Sequence, residues 1–200
     1  MKIIPDLLPK KCFDAGRTAK LEFIVLHATA GSSYAGAKSA YLSRGVSAHY
    51  TIEKDGTIYQ NVLDQNTAWH AGESIWGDIN GLNPHSIGIE IVGLNTYGVD
   101  YPDAQIQSVV QLVKSLCDRH KIRWTNILTH YMISPNRKTD PQNFPIHEVL
   151  SVVRGEPEQH KVFLNGVDIT GQSKFDKHWL VVNAENPRKT YVSNIPTDNA

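Results

Sequence analysis

Cysteine is scarce in this chain. Cys12 and Cys117 are the two present in 200 residues, and no Cys-x-x-Cys pair occurs. That argues against a disulfide framework and against a cysteine-built zinc knuckle. Neither sign of charge is in excess. Lys+Arg 20 balance Asp+Glu 20, a formal net charge of zero. The electrostatic case for a nucleic-acid partner is thereby removed, because neutralising phosphates takes a basic excess or a clear basic patch. No apolar run approaches the ~20 residues of a membrane span. The N-terminal stretch, Met1 to Lys11, has too short an apolar part to be a signal peptide and is broken by Pro5 and Pro9. Synthesis in a cytoplasm without classical export is the expectation. Internal repeats and low-complexity segments are also missing. What remains is 40% hydrophobic and 20% charged, ordinary for a globular chain able to bury a core. The length suits one domain with a small appendage.

Residues 1–20 are mixed and proline-punctuated, and are expected to form a loose arm. Leu21 to Leu26 is a short apolar run rich in β-formers, a buried strand with His27 at its carboxyl end. The small polar residues 28–33 read as a loop that leaves room for a ligand. A short helix follows over 34–43. Asp55-Gly56 between alternating runs, 45–53 and 54–60, is a hairpin cue. Residues 64–86 read as loop, and 87–93 as a strand that contains Glu90. Apolar positions at helical spacing from Ile106 to Cys117 predict a helix over 103–120, with Asp103 as its cap. A short strand at 127–129 and a helix over 146–153 complete a domain of residues 1–154. Beyond a polar linker, residues 155–200 predict a small β-rich extension. It carries a hairpin around Asn165-Gly166 and strands at 179–182 and 190–192. About 45 residues is marginal for independent folding. The extension is therefore expected to pack on the main domain or on a second copy, as in a homo-oligomer.

The chemistry concentrates between His130 and Pro145. Pro135 and Pro141 fix φ and remove backbone donors there, so the stretch is expected to be a stiff loop and not a helix. Such a loop can hold His130 and Asp140 at a set separation, as metal coordination demands. Two ligands make a poor zinc site, and His27 is the third candidate. Two nitrogens, one oxygen and an open position form the catalytic rather than the structural zinc pattern, with one ion per chain. Zinc so held activates water near neutral pH and polarises a carbonyl. Glu90 is a carboxylate in an apolar strand, costly unless paired or working, and is the candidate general base. Lys138 can stabilise an oxyanion.

The same residues carry a resemblance. Phe-Ile-Val-Leu-His27 followed by Ala-Thr, Val46-Ser-Ala-His-Tyr, Lys54-Asp-Gly-Thr-Ile, Trp69-His-Ala-Gly, Asn83-Pro-His-Ser-Ile-Gly-Ile-Glu90, and His130 with Pro135-Asn-Arg-Lys-Thr-Asp-Pro occur in order. As a set they resemble the zinc N-acetylmuramoyl-L-alanine amidases, from about residue 21 to 150. That family includes cytosolic anhydromuropeptide amidases, phage endolysins and peptidoglycan recognition proteins. The resemblance implies an α/β fold with a central mixed β-sheet flanked by helices. It puts the zinc ligands on His27, His130 and Asp140, the catalytic glutamate on Glu90 and a transition-state lysine on Lys138. Asp140 as third ligand is like the cytosolic branch, since many relatives carry cysteine. Where those relatives have a tyrosine this chain has Ala48, so that tyrosine's role does not carry over.

The implied reaction is zinc-dependent hydrolysis of the amide between N-acetylmuramic acid and L-alanine in peptidoglycan. His70, His49, Asn83 and Trp69 are candidate substrate contacts. The unfamiliar extension favours a lytic endolysin acting on the cell wall, by analogy with wall enzymes that carry attachment modules. The alternatives are a cytosolic amidase recycling anhydromuropeptides, and a non-catalytic module that binds peptidoglycan.

Overall fold

The computed structural model describes residues 1–155 and, beyond them, the pairing of two short strands, Phe163–Leu164 and Val167–Asp168. In chain order the elements are β1 (Ile3–Pro5), β2 (Phe13–Asp14), β3 (Phe23–Ala28), α1 (Tyr34–Ser43), β4 (Tyr50–Ile52) and β5 (Ile58–Gln60). The two-residue strands β6 (Thr67–Ala68), β7 (Ile75–Trp76) and β8 (Ile79–Asn80) follow, then β9 (Ser86–Ile91) and α2 (Asp103–His120). The domain closes with β10 (Ile127–Thr129), α3 (His130–Ile133) and α4 (Ile146–Arg154). Phe163–Leu164 and Val167–Asp168 are β11 and β12, an antiparallel pair with Asn165-Gly166 between them. The strands expected at 179–182 and 190–192 lie outside the described residues.

Six strands form the central sheet in the order β1-β5-β4-β9-β3-β10. The β4–β5 hairpin is antiparallel and every other neighbouring pair is parallel. The sheet is therefore mixed. Its middle strands show why. Phe23 to Ala28 are all buried, as a strand covered on both faces requires. In β9 the sequence Ser-Ile-Gly-Ile-Glu-Ile alternates strictly, so Ile87, Ile89 and Ile91 face one way and Ser86, Gly88 and Glu90 the other.

The isoleucine face packs against α2 and α4. Ile24, Leu26, Ile87, Ile89 and Ile91 form one core with Val109, Leu112, Val113 and Leu116 of α2 and Val149 of α4. Burying each such side chain stabilises the fold by about 1.5–3 kcal/mol. The opposite face is covered in two parts. Tyr41 of α1 donates or accepts a 2.9 Å hydrogen bond with Thr51 of β4, and Phe23, Val25 and Leu128 pack with Ala71, Leu82 and Ile133. Between these two patches the sheet presents His27 and Glu90. Helices thus flank both faces. Helix α2 stops where Lys121 turns left-handed at φ 57. Helix α4 stops at Gly155, φ 75, a helix-ending position that glycine takes without a Cβ penalty.

Four expectations change. The N-terminal arm is not loose: β1 adds to the sheet edge parallel to β5, and Leu8 and Cys12 are buried. Three residues of backbone pairing leave no periodic signature in a sequence. Residues 64–86 contain β6, β7 and β8 as well as loop. The stretch from His130 is not loop throughout, because one helical turn, α3, fits before Pro135. Asp103 does not cap α2; Pro102 holds the cap position and no side-chain cap bond forms. Cys12 and Cys117 are free and buried.

Candidate active site

Parallel strands end on the same side, so β9, β3 and β10 deliver their carboxyl ends to one edge of the sheet, where ligands of such folds bind. His27 is the penultimate residue of β3, Glu90 that of β9, and His130 follows β10 directly. Asp140 arrives by a loop. Its carbonyl accepts from the Tyr131 N–H at 3.1 Å, and its Oδ2 accepts from the Ala28 N–H at 3.3 Å. The result is a buried cup in which one donor atom each of His27, His130 and Asp140 lies within 4.8 Å of the others.

Each imidazole has its outer nitrogen engaged and its inner nitrogen turned to the carboxylate. His130 Nε2 lies 3.2 Å from the Ala71 carbonyl, which can only accept, so that nitrogen carries hydrogen. Its Nδ1 is 3.1 Å from Asp140 Oδ2. His27 Nε2 is 3.0 Å from His70 Nδ1, and its Nδ1 is 3.6 Å from Asp140 Oδ2, too far for a hydrogen bond. His27 Nδ1 is buried with no hydrogen-bond partner. A buried nitrogen left so costs roughly 1–3 kcal/mol unless something occupies its lone pair. Two convergent imidazole nitrogens, one of them this orphaned atom, and one carboxylate oxygen fit a zinc ion.

Electrostatics favour the ligating forms. Burial pushes His27 down to about 4, against the pull of Asp140. It is therefore neutral at pH 7. Burial alone would raise the Asp140 carboxyl, but the two facing imidazoles, His130 at 3.1 Å above all, outweigh this and hold it below the carboxylate range. Glu90 moves the other way. Burial pushes it up to about 8, the Asp140 charge adds to this and Lys138 opposes it. Its Oε2 is enclosed without a hydrogen-bond partner. A carboxyl that titrates near neutrality is suited to carry a proton.

The cup opens into a cleft of about 440 Å³ whose lining includes Glu90, His130, Lys138 and Asp140 together with Tyr41, Val46 and Trp69. Trp69 forms wall, its indole N–H donating to Asp14 Oδ2 at 2.9 Å. His70 reaches the cleft margin but is buried, and both its ring nitrogens have partners. Two expected substrate contacts are not placed to be contacts. His49 is fully buried away from the cleft, where its Nδ1 accepts from the Gly88 N–H and its Nε2 meets Arg17 and Asn66. It braces β9. Asn83 turns inward, and its Oδ1 accepts from the N–H groups of His70 and Ala71. It sets the loop behind the metal cup.

Two residues escaped the sequence reading. Arg137, beside Lys138, donates to the carbonyls of Ala71 and Glu73 and to Ser134 Oγ. Asn95 donates to Thr139 Oγ1 and accepts from the Gln142 N–H, gripping the loop on both sides of Asp140. Both act across the fold on backbone, and no local pattern announces such a role.

A buried cup of two imidazoles and a carboxylate, with a protonatable glutamate beside it at the carboxyl edge of a mixed sheet, is an arrangement that can hold a metal and move a proton. The chain belongs to the N-acetylmuramoyl-L-alanine amidase family, whose sequence model matches residues 17–143. It is 42% identical over 96 residues to the 1,6-anhydro-N-acetylmuramyl-L-alanine amidase AmpD of Citrobacter freundii, 48% of this chain and 50% of that protein. It resembles the structure of AmpDh3 from Pseudomonas aeruginosa in complex with anhydromuramic pentapeptide. The TM-score is 0.61 at 32% identity, over 66% of this chain and 59% of that one. The endolysin amidase LysCS of Clostridium intestinale matches with TM-score 0.61 at 23% identity, over 78% of this chain and 97% of that one. At that identity the likeness is one of fold alone. The chain spans about half the length of the curated relatives it matches.

Proposed function

We propose that this protein hydrolyses the amide between N-acetylmuramic acid and L-alanine in soluble anhydromuropeptides, with one zinc ion held by His27, His130 and Asp140. The observation that carries the reading is the convergence of those three donors, two of which, His130 and Asp140, line one cleft with Glu90 and Lys138. Zinc in such a site supplies Lewis acidity, activating water near neutral pH and polarising the scissile carbonyl. Glu90 takes the proton from the attacking water and returns it to the departing amide nitrogen, the exchange its near-neutral titration permits. Lys138, on the cleft wall, meets the negative charge that develops on the carbonyl oxygen. Val46 and Trp69, which also line the cleft, offer apolar contact to the substrate beside these groups.

Three considerations favour the recycling-type substrate over the lytic reading drawn from the C-terminal extension. The curated relative at 42% identity is named for a 1,6-anhydro substrate, and the solved neighbour at 32% identity holds an anhydromuramic peptide. Endolysin neighbours stand lower, at 26% and 23%. A purely binding role fits poorly with a complete donor set and a protonatable Glu90. Residues 1–154 are then the amidase domain, and 155–200 an accessory extension that serves attachment or assembly. The helix stop at Gly155 supports that boundary.

Mass spectrometry of products from soluble anhydromuropeptides and from intact sacculi tests the reading. The expected outcome is rapid release of a peptide with a free L-alanine amine from the soluble substrate, and slow release from sacculi. Faster cleavage of sacculi would restore the lytic role. No cleavage of either by zinc-loaded protein would leave a binding module.

A further inference from the structure

Behind His27 runs a chain of hydrogen bonds whose proton positions can be assigned from one end. Ser86 Oγ lies 2.6 Å from the Leu82 carbonyl, which can only accept, so the serine hydrogen points there. The same Oγ lies 3.2 Å from His70 Nε2. With its hydrogen committed, the oxygen accepts, and His70 Nε2 carries hydrogen. His70 is buried with the rings of His27 and His49 against it at centroid distances of 5.0 and 5.8 Å. A second proton on a ring so surrounded would be a buried charge facing imidazoles, which is costly. His70 Nδ1 is therefore a lone pair. The atom 3.0 Å from it, His27 Nε2, must donate. That leaves His27 Nδ1 bare, and it is the buried atom without a hydrogen-bond partner that faces Asp140.

We propose that Ser86 and His70 form a relay that fixes the tautomer of His27, so that its Nδ1 lone pair is always the one presented to the metal. His70 is then a positioning residue for the cation and not a contact for the substrate. The inference rests on the reading of His27 as a zinc ligand. A histidine ligand whose far nitrogen is held in this way is oriented before the metal arrives, and loss of such an outer partner weakens metal binding by roughly 10–100-fold. The relay also explains a glycine. A Cβ added at Gly88 would stand 2.3 Å from His70 Cγ. The ring of His70 occupies the space above Gly88, and only a residue without a side chain leaves β9 open for it. Ser86 and Gly88, two alternate positions on one strand face, thus supply the partner and the seat of the same ring.

The test uses the full chain with 15N-labelled histidine. Long-range proton–nitrogen NMR of the metal-free wild type should show His27 protonated at Nε2 and bare at Nδ1. Zinc affinity, read by competition with a chromophoric chelator, should fall about 10–100-fold in His70→Phe, which keeps a ring and removes the acceptor. It should return to within about threefold of wild type in His70→Asn, whose side-chain oxygen can take the place of Nδ1. Three results would overturn the relay: His27 protonated at Nδ1 in the wild type, unchanged zinc affinity in a folded His70→Phe, or a His70→Asn as weak as His70→Phe. The wild-type spectrum and the Asn variant decide the matter even where the Phe variant does not fold. A wild type that binds no zinc yet carries the Nε2 proton on His27 refutes the metal reading and leaves the relay standing.

Discussion

Glu90 and His27 are register partners on adjacent parallel strands, side by side on the same face of the sheet. The proposed proton carrier and the proposed metal donor are thus fixed relative to each other by backbone hydrogen bonds and not by a loop. Their separation is set by the strand spacing of about 4.8 Å. Anything that alters one of the two strands alters both functions together.

The zinc assignment predicts that His27→Ala and His130→Ala each lose bound metal and turnover together. Zinc content after gel filtration, measured beside activity, checks this. A variant of either that keeps full metal and full turnover removes that residue from the site.

Glu90→Gln should keep zinc and the fold while turnover falls by roughly 10²–10⁴, the usual worth of a positioned proton carrier. A second readout needs no substrate. Glu90 titrates at about 8 in the metal-free protein and is mostly protonated at pH 7. A divalent cation nearby favours the charged form and pulls that value down. Zinc loading at pH 7 should therefore release close to one more proton from wild type than from Glu90→Gln. Calorimetry in buffers of different ionisation enthalpy measures it, and equal proton release would show that the two sites do not interact.

Lys138→Met removes the ammonium and retains much of the stem. Turnover should drop by about 10²–10³, the scale for losing one group that stabilises a developing oxyanion, with substrate affinity changing far less. A change confined to KM would make Lys138 a binding residue instead.

Metal-free protein should lose stability on mild acidification. Burial lowers His27 to about 4 and His49 to about 3, below the unfolded value near 6.5. Between those limits each of these histidines is more protonated in the unfolded chain, so their contribution to stability rises with pH and is lost as pH drops; the lowered His70 adds to it, and Glu90, raised to about 8, opposes it without cancelling the three rings. Urea midpoints at pH 7.5 and pH 4.5 should differ clearly. His49→Gln should flatten part of the difference, and an unchanged pH dependence would remove His49 as a contributor.

A chain cut after Arg154 keeps every residue assigned to the chemistry. Soluble muropeptide turnover should be largely retained, with weaker sacculus binding or an altered oligomeric state. If turnover collapses while the shortened chain stays folded and zinc-loaded, the extension helps to shape the site and the division is wrong.

Much of the centre of the fold is written locally. The runs at 21–26 and 87–93 are visible because a strand buried on one or both faces needs apolar residues at every or every second position. Helix α2 is visible because eighteen residues give its stripe room to repeat. Strand β1 is invisible because three residues carry no period. The three candidate metal donors were legible as residue types in a known order, and the structure brings them within reach of one another. The jobs of His49, Asn83 and Arg137 were not legible. Each acts on backbone far along the chain, and a polar side chain looks the same in a sequence whether it faces a ligand or a carbonyl.

The bond from the Ala28 N–H to Asp140 joins residues 112 positions apart. A chain emerging from the ribosome shows His27 early, but that residue alone grips a metal poorly. The second and third donors appear only after the whole sheet has been made. On the zinc reading, capture of the ion waits until β10 is docked beside β3, and metal content should then report on the completion of folding.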